Sequence, residues 1–125
     1  MLSFSHWQHV VPTQWHWPYF QPRELACSHC GRLEIDERLL DTLEWQRRNG
    51  QPIVINSAYR CGVWNAMVGG APLSQHKRGR AADQALRGRA RSDVETQARG
   101  AGFTGIGRYK TFLHTDIGPR RIWNG

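Results

Sequence analysis

From Asp36 onward apolar residues recur at helical spacing. Leu39, Leu40 and Leu43, with Trp45 beyond them, are separated by charged and polar positions, which predicts an amphipathic helix. Asp36 is placed to cap its start and Gly50 to stop it. After Pro52 the run Ile53-Val54-Ile55 reads as a short buried strand, and Val63 to Val68 as a short helix broken by Gly69-Gly70-Ala71-Pro72. Ser74 to Arg80 is polar and rich in turn formers. Arg80 to Leu86 is read as a strand and Arg87 to Arg91 as a basic turn. Ser92 to Ala101 is helical in pattern, with Ser92 as N-cap and Glu95 as its capping-box partner. Gly105 to Tyr109 and Thr111 to Ile117 are two strands joined by a tight turn near Lys110. Upstream, Pro22 to Leu25 suggests one helical turn. Residues 1–22, with Trp7, Trp15, Trp17, Tyr19 and Phe20 broken by three prolines, read as an irregular aromatic arm packed on the domain, or alternatively as a carbohydrate-binding strip. A few strands mixed with three helices make the fold class α+β, a small single domain with a central, mainly antiparallel sheet flanked by helices. The arm is assigned to 1–22 and the main domain to 23–125.

Composition narrows this. With 125 residues the chain holds one domain, and 39% apolar residues with six tryptophans exclude a disordered tail. No apolar run approaches the length of a membrane span, and the first residues lack the basic and apolar regions of a secretory signal. The net charge is +7, and arginine provides 15 of the 17 basic residues. Six of these lie between Lys77 and Arg91, with Asp83 the only acid among them. Such a field attracts polyanions: nucleic acid or an anionic cell envelope. No nucleic-acid-binding fold is recognisable, so specific nucleic-acid binding is not expected.

Two groups of side chains carry chemistry. Cys27 and Cys30 form a CxxC with Cys61 far along the chain. A zinc ribbon needs a second pair, so a disulfide or free thiols are expected, with a site completed by His29 and Cys61 the alternative. The second group is His76, Asp83 and His114. Six residues separate the first two, which therefore flank a turn, with Gly79 allowing the chain to reverse. In the strand Phe112-Leu-His-Thr-Asp-Ile117, His114 and Asp116 share one face, while Leu113, Thr115 and Ile117 point to the core. Two histidines and a carboxylate make a common open zinc set. Asp116 is then either a general base or the partner that orients a histidine.

The surrounding motifs extend this reading. Ser57-Ala-Tyr-Arg60, Asn65, Val68-Gly-Gly-Ala-Pro72, the gap-free Ser74-x-His76-x-x-Gly79-x-Ala81-x-Asp83, Gly105-Ile-Gly-Arg-Tyr109 and Phe112-Leu-His114-Thr-Asp116 follow one another in order. The succession, from about Tyr19 to Trp123, resembles the M15 family of zinc peptidases, and more narrowly its small bacterial and phage branch related to D-alanyl-D-alanine carboxypeptidases. The resemblance implies a hedgehog/DD-peptidase-like fold and one zinc ion per chain, held by His76, Asp83 and His114. It implies that Arg60 grips a carboxylate or carbonyl of a peptide substrate and that Ser74 touches substrate or steadies the site, while Tyr109 is read from its position as a cleft-lining, substrate-binding residue or a strand end. Several branches of the family place a carboxylate three residues before the last zinc histidine, or a histidine two before it. Here those positions are Thr111 and Phe112, so Asp116 is nominated as the catalytic base. The implied activity is hydrolysis of peptidoglycan stem peptides, as a D,D-carboxypeptidase or an endolysin-type endopeptidase. A catalytically inactive zinc module with an envelope-binding or virion-structural role is the alternative. The implied partners are stem peptides and anionic envelope polymers. The expected form is a monomer without membrane insertion, made in the bacterial cytoplasm and reaching the cell wall or periplasm by holin-type release or particle delivery.

Overall fold

The computed structural model describes residues 1–125. Its centre is a five-stranded sheet built from β3 (Ile55–Ser57), β4 (Ala81–Ala85), β5 (Gly105–Arg108), β6 (Phe112–Asp116) and β7 (Arg121–Asn124), in the order β3-β4-β6-β5-β7. All pairs are antiparallel except β5 with β7. A separate antiparallel pair, β1 (Leu2–Phe4) with β2 (Leu33–Ile35), ties the N-terminal arm to the domain. The helices are α1 (Pro22–Leu25), α2 (Glu37–Arg48), α3 (Gly62–Met67) and α4 (Arg91–Ala101). The fold is α+β.

Strand alternation divides the sheet into two chemically different faces. Ala82, Ile106 and Leu113 face the helices and join Leu39, Leu40 and Leu43 of α2 and Val94 and Ala98 of α4 in one core. Trp17 and Phe20 of the arm enter the same core, so these aromatics are packing residues. The core contains one polar knot. Gln46 and Gln84 exchange side-chain hydrogen bonds of 2.7 and 2.9 Å, Gln84 also reaches Thr115, and Thr115 donates to the Ala82 carbonyl. The opposite face carries Asp83 on β4 and His114 on β6, which are direct register partners.

Several local expectations shift. The fourth inward position of α2 is Gln46, 1% exposed, while Trp45 is 49% exposed. A 3.6-residue repeat runs from Leu39 through Leu43 to Gln46 and leaves Trp45 off the face. The strand after Pro52 begins at Ile55, and Val54 is exposed, so Ile53-Val54-Ile55 is not the buried strand its β-branching suggested. Helix α4 is capped by Ala90 with no side-chain bond. Glu95 instead binds Arg99 and Arg108 at 3.0 and 2.7 Å, so it is a half-buried ion-pair acceptor rather than a capping residue. The tail Arg121–Asn124 forms a paired strand beside β5.

Candidate metal centre

The turn between Ser74 and Arg80 delivers His76 to the site. The Ser74 hydroxyl accepts a hydrogen bond from the His76 amide at 3.2 Å, and Gly79, at φ +68°, reverses the chain into β4. A side chain at Gly79 would collide with the backbone of Glu34, and the Asp36 amide donates to the Gly79 carbonyl at 2.9 Å. Asp36 also accepts from Arg80 at 3.1 Å, anchoring the turn to the start of α2. With Arg38 as its strongest partner, the Asp36 carboxyl is held down at about 2.

One ligand atom each from His76, Asp83 and His114 lies within 4.8 Å of the others, and all three residues are buried. Their hydrogen bonds fix which atoms face inward. His76 Nδ1 is 2.7 Å from the Ala58 carbonyl, which can only accept, so that nitrogen carries the proton and Nε2 presents a lone pair. His114 Nε2 is 2.7 Å from Asp116 Oδ2, so the proton sits there and Nδ1 presents its lone pair. Both lone pairs point at Asp83 Oδ1, at 3.1 and 3.2 Å. In these tautomers three electron-pair donors converge in a buried space, an arrangement that could hold a cation. Two imidazoles and a carboxylate are a zinc-type donor set. The Arg60 guanidinium bonds the other oxygen of Asp83 at 3.3 Å, completing the shell that orients the donors.

The same contacts set the charge preferences of these groups. Burial alone would raise the Asp83 carboxyl, but His114 and His76 overcome it and hold it well below the ordinary carboxylate range. Burial works against charge on His114, yet Asp116 and Asp83 push its pKa up. Asp116 is lowered despite burial by His114, the Gly118 amide and Arg121.

The other expected residues occupy distinct places. Arg60 lines the cleft beside Asp83, braced by Ser57 Oγ and Asn65 Oδ1 at 3.2 and 3.3 Å. Ser74 is also at the cleft wall. Tyr109 stacks on Phe112 with ring centres 4.5 Å apart, and its hydroxyl accepts from Trp123 Nε1 at 2.9 Å, leaving its own proton free to donate. The Asp116 carboxylate is 0% exposed and lies across the His114 ring from Asp83, seated where Gly105 has no side chain. It is outside the cleft lining, and that position suits a partner orienting His114 rather than a base meeting solvent. The cleft has a volume of about 430 Å³, and Asp83 is the only carboxylate in its wall.

Three contributors carry no role in the sequence reading. Asn65, 2% exposed, holds Arg60 and the Ala71 carbonyl together. Gln75 lines the cleft, and its buried Oε1 has no hydrogen-bond partner. Trp123 packs on His114 with ring centres 4.9 Å apart. Their positions beside His76 and in the tail motif were visible in the sequence. Their contacts depend on the folded turn and on β7.

The fold and the donor set together define a domain of metallopeptidase type, with a buried two-histidine, one-carboxylate centre under an open cleft. The family model for Peptidase M15 matches residues 18–117, and the chain belongs to this family, whose peptidases are zinc-dependent. A comparison with curated proteins finds no match.

Proposed function

We propose that this chain is a zinc peptidase acting on peptidoglycan stem peptides, as a D,D-carboxypeptidase or an endolysin-type endopeptidase. The observation that carries the reading is the convergence of His76, Asp83 and His114 beneath a cleft that also presents Arg60. His76 Nε2, Asp83 Oδ1 and His114 Nδ1 would hold the ion. Zinc bound there supplies a water acidic enough to ionise near neutral pH and a Lewis acid for the scissile carbonyl. The chain's own residues do the rest. Ala58 and Asp116 keep protons on the outer nitrogens of the two histidines, so the inner nitrogens remain donors. Arg60 offers a fixed positive fork to a substrate carboxylate, and stem peptides end in one. The free Tyr109 proton donates to a substrate oxygen. Arg121, also at the cleft wall, adds attraction for anionic wall polymers.

The test combines zinc analysis of the purified chain with digestion of purified peptidoglycan, the products being read by mass spectrometry. Chelator-sensitive release of D-alanine identifies the carboxypeptidase, and stem fragments identify the endopeptidase. The second reading, a zinc-binding module without turnover, is favoured by one observation: no carboxylate besides Asp83 faces the cleft. Stoichiometric zinc with no cleavage of any wall type would select it. Delivery to the wall from the cytoplasm by a holin-type pore or a particle fits either reading.

A further inference from the structure

Folding brings Cys61 to the CxxC. The three sulfur atoms of Cys27, Cys30 and Cys61 lie within 4.8 Å of one another as free thiols, away from the cleft. We propose that Cys27, Cys30 and Cys61 form a second metal site, a structural clip for a thiophilic divalent cation such as zinc.

The local backbone is built for thiolate ligation. After α1 the chain turns through Cys27-Ser-His-Cys30-Gly31. The Gly31 amide donates to the Cys27 carbonyl at 2.8 Å, the Cys27 amide donates to the Arg32 carbonyl at 2.8 Å, and Gly31 sits at φ +77°. This tight loop points both sulfurs of the CxxC to the same side. Cys61 is the N-cap of α3, its sulfur accepting from the Trp64 amide at 3.3 Å. Amide N–H groups aimed at sulfur are the contacts that stabilise ligating thiolates. Three thiolates select soft or borderline cations, zinc foremost among those abundant in cells.

The histidines nearby are engaged elsewhere. The His29 ring stacks on Trp64 at 5.3 Å with planes 4° apart. His6 Nδ1 accepts from the Gln8 amide, so in the neutral ring Nε2 carries the proton and is no ligand. Water from the adjoining groove, which is lined by His6, Arg23 and His29 and has a volume of about 550 Å³, completes the fourth position. Binding converts three thiols to thiolates and releases three protons to solvent, with no change of oxidation state.

The location gives the clip its purpose. Cys61 adjoins Arg60, and the segment before it supplies the Ala58 carbonyl that fixes His76. Only the Tyr59 amide to Leu25 carbonyl bond, at 3.0 Å, joins this segment to α1 through the backbone. A metal bridging Cys27 and Cys30 to Cys61 pins the two together and holds Arg60 against the cleft.

Cobalt(II) loading of the full chain under anaerobic, reducing conditions tests this site separately from the hydrolytic one. The expected result is a second equivalent of bound metal and an intense near-ultraviolet thiolate-to-cobalt charge-transfer band. That band persists in His76→Ala and disappears in Cys30→Ser, and zinc added to the wild type protects the three thiols from alkylation. Absence of the band from wild type, with all three thiols alkylated at the same rate with or without zinc, overturns the proposal. So does a disulfide joining any two of them in protein purified without added oxidant or reductant.

Discussion

The two clusters of metal-ligating side chains are built in opposite ways. His76, Asp83 and His114 stand on or beside the central sheet, where β4 and β6 fix Asp83 and His114 as register partners. Each donor is held from behind by a dedicated contact: Ala58 for His76, Arg60 for Asp83 and Asp116 for His114. Cys27, Cys30 and Cys61 come from a loop and a helix cap, and only the Cys61 sulfur accepts a hydrogen bond, from the Trp64 amide. Nitrogen and oxygen donors on rigid strands under a cleft suit chemistry, because the ligands stay placed while the remaining position meets substrate. Sulfur donors joining segments distant in sequence suit stability, because the metal closes a long loop.

The largest expected effect that separates the two is His76→Ala. It should abolish hydrolysis and remove the cleft-site zinc, measured by metal analysis and peptidoglycan digestion, while leaving the fold intact by circular dichroism. Full activity in this variant would remove the metallopeptidase reading. Asp116→Asn should weaken zinc binding by about 10- to 100-fold, as loss of a partner that orients a metal-bound histidine does. Competition with a chelator measures the affinity. A lowered kcat with unchanged zinc affinity would instead return Asp116 to the role of base. Cys30→Ser should lower the melting temperature of zinc-replete protein by roughly 5 °C, corresponding to about 1 kcal/mol in a domain of this size. Its cleft-site zinc should remain. Equal melting temperatures for variant and wild type would show that the cysteine cluster adds no stability.

The smallest effect concerns the frame shared by both regions. The carboxyls of Asp36 and Glu95 are each held at about 2 in the folded chain, chiefly by Arg38 and Arg108 respectively. Both lie below their unfolded values of about 4. The stability they contribute is therefore complete above about pH 4 and lost as pH falls toward 2. Thermal melts between pH 5 and pH 2 should show Glu95→Gln less stable than wild type at the upper end, with the difference shrinking as the acid limit is approached. A difference independent of pH would refute the ion-pair account.

Much of the frame was legible because its signals are local. Leu39, Leu40 and Leu43 specify α2 by their period, and Asp36 caps it by accepting from the Arg38 amide at 2.9 Å. Alternation in Phe112–Asp116 correctly separates Leu113 and Thr115 from His114 and Asp116. Other features were not legible, because competing local choices are close in energy. Ser92 and Ala90 are both plausible starts for α4, and the pull of Arg99 and Arg108 on Glu95 settles the matter against a capping box. Gln46 reads as a surface residue until Gln84 arrives opposite it to satisfy its amide.

By itself the sequence determined the α+β class and the amphipathic helix α2, because periodicity is a property of neighbouring residues, and the order of its motifs carried the family resemblance that singled out His76, Asp83, His114 and Arg60. The tertiary structure decided which nitrogen of each histidine faces the ion, where Asp116 stands, and that Cys61 meets Cys27 and Cys30. Apart from the bond between His114 and Asp116, two positions apart on one strand, the contacts join residues 18 to 34 positions apart, and only the paired strands and packed core bring such residues within bonding distance.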